Sequence, residues 1–215
     1  MESSMFKPSS MDLIRAGLQD LDRARALFGQ LKADAIADGR CAELLGVLAH
    51  ACDPDVALGN FVDIVNAMQS SRRDLDRVIP DAGALRRLIT VLGASDAMGK
   101  FMRFRPELVE AASVGSADSH LFNRAQRRAR LLMEVGADPD DQAMPVASKD
   151  LAEAATALRA GYRRQLAAII AQDVMAEDPI RIQPTISSEL SDLADAALEG
   201  ALAIARHETE GSEIG

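Results

Sequence analysis

The chain has 215 residues, enough for one largish domain or a domain with an appended subdomain, and enough to bury a core without disulfide or metal support. Acidic residues number 33 against 24 basic ones, and the resulting formal charge of −9 argues against sequence-independent binding to nucleic-acid phosphates. Hydrophobic residues make up 48% but aromatics only 3%, with no Trp and one Tyr, which argues against sandwiches and barrels and for an all-α fold of packed, alanine-rich helices.

In chain order, Ser9 or Ser10 is predicted to cap a first helix with Ile14, Leu18, Leu21, Phe28 and Leu31 on one face. Gly39 breaks that pattern, and Cys41–Ala51 follows as a short helix with Leu44, Leu45 and Leu48 inward. Asp53-Pro54 reads as an N-cap and first helical position, opening a helix that buries Phe61, Ile64, Val65 and Met68. Residues 70–80 are charged and less regular. Asp81 then caps a helix carrying Leu85, Leu88, Ile89 and Leu92, and Ser95 starts another through Phe104, ended by Arg105-Pro106.

Ser119 is predicted to begin a helix with Leu121, Phe122, Leu131 and Leu132, closed by Gly136. Residues 137–147 form the clearest loop. Ser148 caps a long helix to about Met175, with Leu151, Ala155, Leu158, Tyr162, Ile169 and Ile170 as its inward stripe. Pro179 and Pro184 bracket an extended link, and Thr185 caps a last helix whose stripe is Ile186, Leu190, Leu193, Ala197, Ala201 and Ile204. The expected architecture is therefore an all-α helical bundle ending in a long antiparallel helix hairpin. The expected organisation is an amino-terminal helical segment at 1–80, short helices at 81–147, the hairpin at 148–206 and a tail at 207–215.

Cys41 and Cys52 are too few for a disulfide framework, and Met1–Ser10 has no apolar stretch of a secretory signal. No run approaches the ~20 apolar residues of a membrane helix. Reduced thiols and a cytoplasmic location are the expectation, with no membrane partner.

Few residues carry recognisable chemistry. Gly93 to Lys100 resembles a phosphate loop, but five residues separate its glycines and Phe101 stands where a Mg²⁺-binding hydroxyl belongs. Two short helices joined near Gly93 explain it better. Two-metal nucleotidyl transfer needs paired carboxylates facing one way from a strand. Asp53-Pro54-Asp55 is a cap, Asp138-Pro139-Asp140-Asp141 lies in a loop, and Asp192 with Asp195 sits on a helix, so none of the three qualifies. His50, His120 and His207 are scattered, and His50 with Cys52 diverges on a helix. No catalytic residue, metal site or cofactor is expected in the chain itself.

Arginines do cluster: Arg86-Arg87, Arg103 with Arg105, Arg124 with Arg127, Arg128 and Arg130, and Arg163-Arg164. Their planar forks suit carboxylates and phosphates. The bland reading is a salt-bridged surface, with Glu107, Glu110 and Glu134 near in sequence. Arg103, Arg105, Arg163 and Arg164 are the candidate partner-binding residues.

Three segments, in order, resemble a known family. They are Leu88-Ile-Thr-Val-Leu-Gly-Ala-Ser-Asp through Phe101-Met-Arg-Phe-Arg-Pro-Glu-Leu108, Tyr162-Arg-Arg-Gln-Leu through Ile170-Ala-Gln-Asp-Val174, and Glu189-Leu-Ser-Asp-Leu-Ala-Asp-Ala-Ala-Leu198. Together they resemble the amino-terminal helical region of bacterial bifunctional glutamine synthetase adenylyltransferase/adenylyl-removing enzymes, with an actinobacterial flavour. The resemblance is clear over residues 80–206. It implies that the helices precede a nucleotidyltransferase domain whose Ser-Asp-x-Asp strand is not among these residues, so the chain is expected to be an inactive piece of a larger enzyme. It implies ATP and Mg²⁺ for that missing domain, and glutamine synthetase, a PII-type signalling protein and the missing domain as partners, with a role in regulating nitrogen assimilation. The contrasting expectations are a stand-alone helical interaction module and, less favoured by the −9 charge, a helical regulator touching nucleic acid through Arg124–Arg130.

Overall fold

The structure, a computed structural model, describes residues 7–31, 38–70, 79–113 and 122–212. These form ten α-helices, and no strand occurs among them. The chain divides into two compact units, residues 1–118 and 119–215, so the stretch 81–147 is shared between them.

The first unit holds α1 (Ser10–Arg15), α2 (Leu21–Gln30), α3 (Asp38–Leu48), α4 (Pro54–Ser70), α5 (Ala82–Ala94), α6 (Asp96–Met102) and α7 (Pro106–Ser113). Its hub is α5, which packs on α3, α4, α6 and α7. Leu85, Leu88, Ile89, Val91 and Leu92 are all buried there, each worth about 1.5–3 kcal/mol of transfer free energy. Asp81 starts α5 by accepting the Ala84 N–H at 2.7 Å. Asp53 does the same for α4 through the Val56 N–H at 3.0 Å, with Pro54 as the first helical residue.

The single first helix expected from the sequence is two helices. Gly17 stands at φ +81°, and the N–H groups of Gly17 and Leu18 donate to Ile14 and Leu13 carbonyls at 3.0 and 3.1 Å. That pairing stops α1 as a Schellman motif, which a left-handed glycine makes cheap. Leu13 rather than Ile14 faces inward, and Ile14 is 57% exposed. Gly39 lies inside α3 instead of breaking the pattern. Helix α6 ends at Met102, two residues before Phe104, and Pro106 opens α7 as its first residue. Ser119, Leu121 and most of residues 70–80 lie outside the described residues.

The second unit holds α8 (Arg124–Glu134), α9 (Leu151–Val174) and α10 (Pro179–Ser212), each packed against the other two. Asn123 starts α8 with a reciprocal cap: its side chain accepts the Gln126 N–H at 2.9 Å and its own N–H donates to Gln126 Oε1 at 3.0 Å. Gly136 ends α8 at φ +76° with a second Schellman pair. Ser148 does not cap α9. Its hydroxyl donates to the Gly136 carbonyl at 2.7 Å, and Asp150 occupies the cap position.

Helices α9 and α10 form the expected hairpin, but the link is residues 175–178 and no extended segment separates Pro179 from Pro184. Asp178 Oδ1 accepts the N–H groups of Ile180 and Arg181 at 3.1 and 3.0 Å, so the helix starts at Pro179. Pro184 sits within its second turn. A proline there forfeits one backbone hydrogen bond, and α10 continues through it, leaving Thr185 inside the helix rather than at its cap.

The inward stripes also shift. Leu151, Leu190 and Ala201 face outward, whereas Ala154, Gly161, Gln165, Glu189, Ala196, Gly200 and Ala203 are buried. Small residues let the helices approach closely. A Cβ on Gly161 would lie 2.8 Å from Glu134 Cγ, and one on Gly200 would lie 2.8 Å from Leu158 Cδ1.

Candidate functional site

Helix α8 places Arg124, Arg127 and Arg128 at i, i+3 and i+4, so one face of the helix carries three guanidinium groups. Helix α10 answers with Asp195, Glu189 and Glu199. Arg124 Nη2 donates to Asp195 Oδ2 at 2.9 Å on the surface. Arg128 grips Glu199 with both Nε and Nη2, at 2.8 and 2.7 Å, and Nη1 donates to the Pro139 carbonyl at 2.7 Å. This two-pronged geometry is specific to arginine.

Arg127 is 1% exposed and is the largest fully buried side chain described. Its Nη2 donates to Glu189 Oε2, its Nη1 to Gln165 Oε1 at 3.2 Å, and its Nε has no partner among the described residues. Burial pulls the Arg127 pKa below the ordinary guanidinium value and pushes Glu189 above the ordinary carboxylate value. The attraction between the two opposes both shifts. Arg130 places its guanidinium 3.7 Å from the centroid of Phe122. The densest arginine cluster in the sequence thus braces α8 to α10 and fixes the loop behind them.

The four candidate partner-binding residues divide between the units. Arg103 follows α6, half-exposed, 3.3 Å from Asp63 Oδ2 and 5.3 Å from the Phe104 ring centroid. Phe104 itself is 76% exposed, and Arg105 lies half-buried in the turn to α7. The exposed ring carried no signal in the sequence beyond its place in the Arg-Phe-Arg run. In the second unit Arg163 and Arg164 are half-buried on α9, and Arg164 donates to Glu134 on α8. Each pair belongs to its own unit. Glu134, expected only as one of three acids near the arginine clusters, engages Arg164.

The phosphate-loop lookalike is a helix junction. Ser95 accepts the Met98 N–H at 3.2 Å, Lys100 pairs with Asp96 at 2.6 Å, and the Lys100 contact holds the Asp96 carboxyl below its ordinary pKa. Gly99 is pressed onto Asn60, where an added Cβ would lie 2.3 Å from the amide. Asp141 Oδ1 accepts the N–H groups of Ala143 and Met144 at 2.9 and 3.0 Å, so that loop carboxylate holds backbone. Cys41 is buried, Cys52 exposed, and no three His, Cys, Asp or Glu side chains converge as a metal site among the described residues. No helix there is long and apolar enough to cross a membrane.

On α10, Leu190 of the predicted inward stripe faces outward, alongside Leu198 and Leu202, which that stripe does not include. Leu198 is 66% exposed, whereas Glu189, the neighbour of Leu190, is buried. Periodicity alone places Leu190 inward and could not reveal that Arg127 reserves the neighbouring inward place for a carboxylate.

No family model matches the chain, and no solved structure matches it at a significant level. Among curated proteins, the bifunctional glutamine synthetase adenylyltransferase/adenylyl-removing enzyme of Bifidobacterium longum subsp. infantis is 99% identical over 213 residues, covering 99% of this chain and 20% of that protein. The protein of the same name from Bifidobacterium longum strain DJO10A is 82% identical over 213 residues, with the same coverage. That of Cutibacterium acnes is 33% identical over 198 residues, covering 92% of this chain and 19% of its own length. The chain spans about a fifth of the length of these relatives. It belongs, as one helical segment, to the bifunctional glutamine synthetase adenylyltransferase/adenylyl-removing enzyme family.

Proposed function

We propose that these residues are the amino-terminal helical scaffold of a cytoplasmic enzyme that transfers AMP from ATP to a tyrosine of glutamine synthetase and removes it by phosphorolysis. The observation that carries this reading is the match over 99% of the chain, at 99% identity, to one fifth of a protein so named. ATP and Mg²⁺ would be held by residues outside these 215, because in each candidate carboxylate group a member already caps a helix, holds backbone or pairs with an arginine, as Asp53, Asp141 and Asp195 do. The enzyme would answer to nitrogen status through a PII-type protein. The helices would offer docking positions for glutamine synthetase, with Arg103 and Arg105 beside the exposed Phe104 ring, and Arg163 and Arg164 on α9.

The test compares this chain with the full-length Bifidobacterium longum subsp. infantis relative, each given ATP labelled in its α-phosphate, Mg²⁺ and glutamine synthetase. Label is expected on the synthetase with the full-length protein and not with this chain. Label with the chain alone overturns the scaffold role, and none with either overturns the reaction. For docking, R103E/R105E in the full-length protein is expected to raise KM for glutamine synthetase about tenfold, worth about 1.4 kcal/mol, at unchanged kcat. An unchanged KM removes those arginines from the docking surface.

A further inference from the structure

We propose that the outward face of α10 is the seat of another part of the same longer polypeptide, a part that presents an uncharged aliphatic surface. Leu190, Ala194, Leu198, Ala201, Leu202 and Ala205 are all exposed, and their steps of three and four residues keep them on one side of the helix. Between Gln183 and Ala205 no charged side chain enters this sector. The nearby acids Asp195 and Glu199 lie to its side and are occupied by Arg124 and Arg128. The inward face of the same helix is already filled by α8 and α9. The exposed leucines are therefore a second apolar face, not the edge of the first.

Size identifies the occupant. From Leu190 to Ala205 the face runs about 23 Å at 1.5 Å per residue and about 10 Å across, or about 230 Å². A stable interface between free molecules needs about 800 Å² from each partner, so a second copy of this chain would be held too weakly by this face alone. A tethered partner needs far less, because linkage gives it a millimolar effective concentration. Such a partner is at hand in the family, since these residues make up only 20% of the 99% identical relative. Ala194 and Ala201 between the leucines, and Ala205 just beyond them, leave room for its backbone to come close. The inference rests on membership of that longer family and not on the proposed reaction.

The experiment is cysteine accessibility in the full-length Bifidobacterium longum subsp. infantis protein and in this chain, both carrying Cys52→Ser, with Cys41 buried and labelling read at each introduced cysteine by peptide mass spectrometry. Ala194→Cys and Ala201→Cys report the face, and Ala152→Cys, exposed on α9, reports general access. Maleimide labelling at 194 and 201 is expected to be at least tenfold slower in the full-length protein than in the chain, with 152 unchanged. Equal rates at 194 and 201 overturn the proposal, as does equal slowing at all three positions. Protection in the chain alone that grows with concentration, together with a doubled mass, assigns the face to a second copy and also overturns it. As a further check, Leu198→Asp should leave the circular dichroism and melting midpoint of the chain unchanged, yet restore fast labelling at 194 in the full-length protein. Labelling is read without ATP or glutamine synthetase, so an inactive but protected protein refutes the reaction and leaves the seat standing.

Discussion

Glu189→Ala should be among the most damaging single truncations in the second unit. Arg127 would then keep its positive charge 1% exposed, with Gln165 as its one hydrogen-bond acceptor among the described residues and Nε without a partner among them. A unit charge pair at ~4 Å in an effective dielectric of ~20 is worth about 4 kcal/mol, and breaking a buried pair from one side typically costs about 3–5 kcal/mol. Asp192 also attracts Arg127, so the lower end, about 3 kcal/mol, is expected. The double variant R127M/E189L removes both charges and refills the space with apolar atoms, and should return to within about 1 kcal/mol of the parent or exceed it.

The assay is built into the chain. Its single tyrosine, Tyr162, lies on α9 beside the cluster of Leu131, Ile169 and Leu193, and there is no tryptophan. Tyrosine fluorescence in urea therefore reports the second unit alone. With a slope of about 1.5 kcal/mol/M, Glu189→Ala should lower its midpoint by about 2 M. A loss below about 1 kcal/mol, or a double variant as unstable as the single one, would falsify the claim that an uncompensated charge is what hurts.

Glycine replacements should separate sites of close approach from open ones in the first unit. A Cβ at Gly93 would stand 2.9 Å from Ala51 Cβ and 3.1 Å from the Asp53 carbonyl oxygen, which is backbone and cannot swing away. Gly93→Ala should cost about 1–3 kcal/mol in thermal unfolding followed by circular dichroism. Gly46→Ala meets no described atom within 4 Å and should gain about 0.5–1 kcal/mol; equal effects at the two sites would defeat this reading. For pH, the Met144 and Ala143 N–H groups hold the Asp141 pKa below 3.8. The native loop binds the charged form, so its contribution is present above pH 3.8 and is lost as pH falls through the lowered value. Carboxyl-carbon NMR should place the Asp141 midpoint below 3.8 in the folded chain, and a midpoint at or above that value contradicts the assignment.

Much of the fold was legible because its signals are local. Asp53-Pro54, Asp81, Ser95 and Gly136 each act within four residues, and each begins or ends a helix where the sequence predicts. The misreadings came where a distant contact or a competing local helix signal decided the outcome. Ser148 was drawn to the Gly136 carbonyl 12 residues away, leaving the cap to Asp150. Pro184 was absorbed because Asp178 had already started the helix. At the candidate site, the arginine clusters were visible, but their partners were not. Spacing along one helix cannot show that α10 supplies Glu189 and Glu199 some 60 to 70 residues on.

The pairing of a buried Glu189 with an exposed Leu190 inverts the usual amphipathic order, and the inversion has a physical logic. Apolar residues of similar volume in place of Arg127 and Glu189 are expected to come within about 1 kcal/mol of the parent or exceed it, so stability alone does not explain the ion pair. What the three α8 arginines do supply is register. Sliding α10 by one turn, about 5.4 Å, would break the contacts to Glu189, Asp195 and Glu199 at once and strand the buried guanidinium. A leucine core tolerates such a slip far better, because one aliphatic contact is much like the next. A seat on the far side of α10 needs that register, since its leucines and alanines match a partner only if the helix is held in place along its axis. Loosening the Arg128–Glu199 fork with Glu199→Gln should therefore raise maleimide labelling at position 194 in the full-length relative, without raising it in this chain. Unchanged labelling in the full-length protein would show that the ion pairs and the outer face act independently.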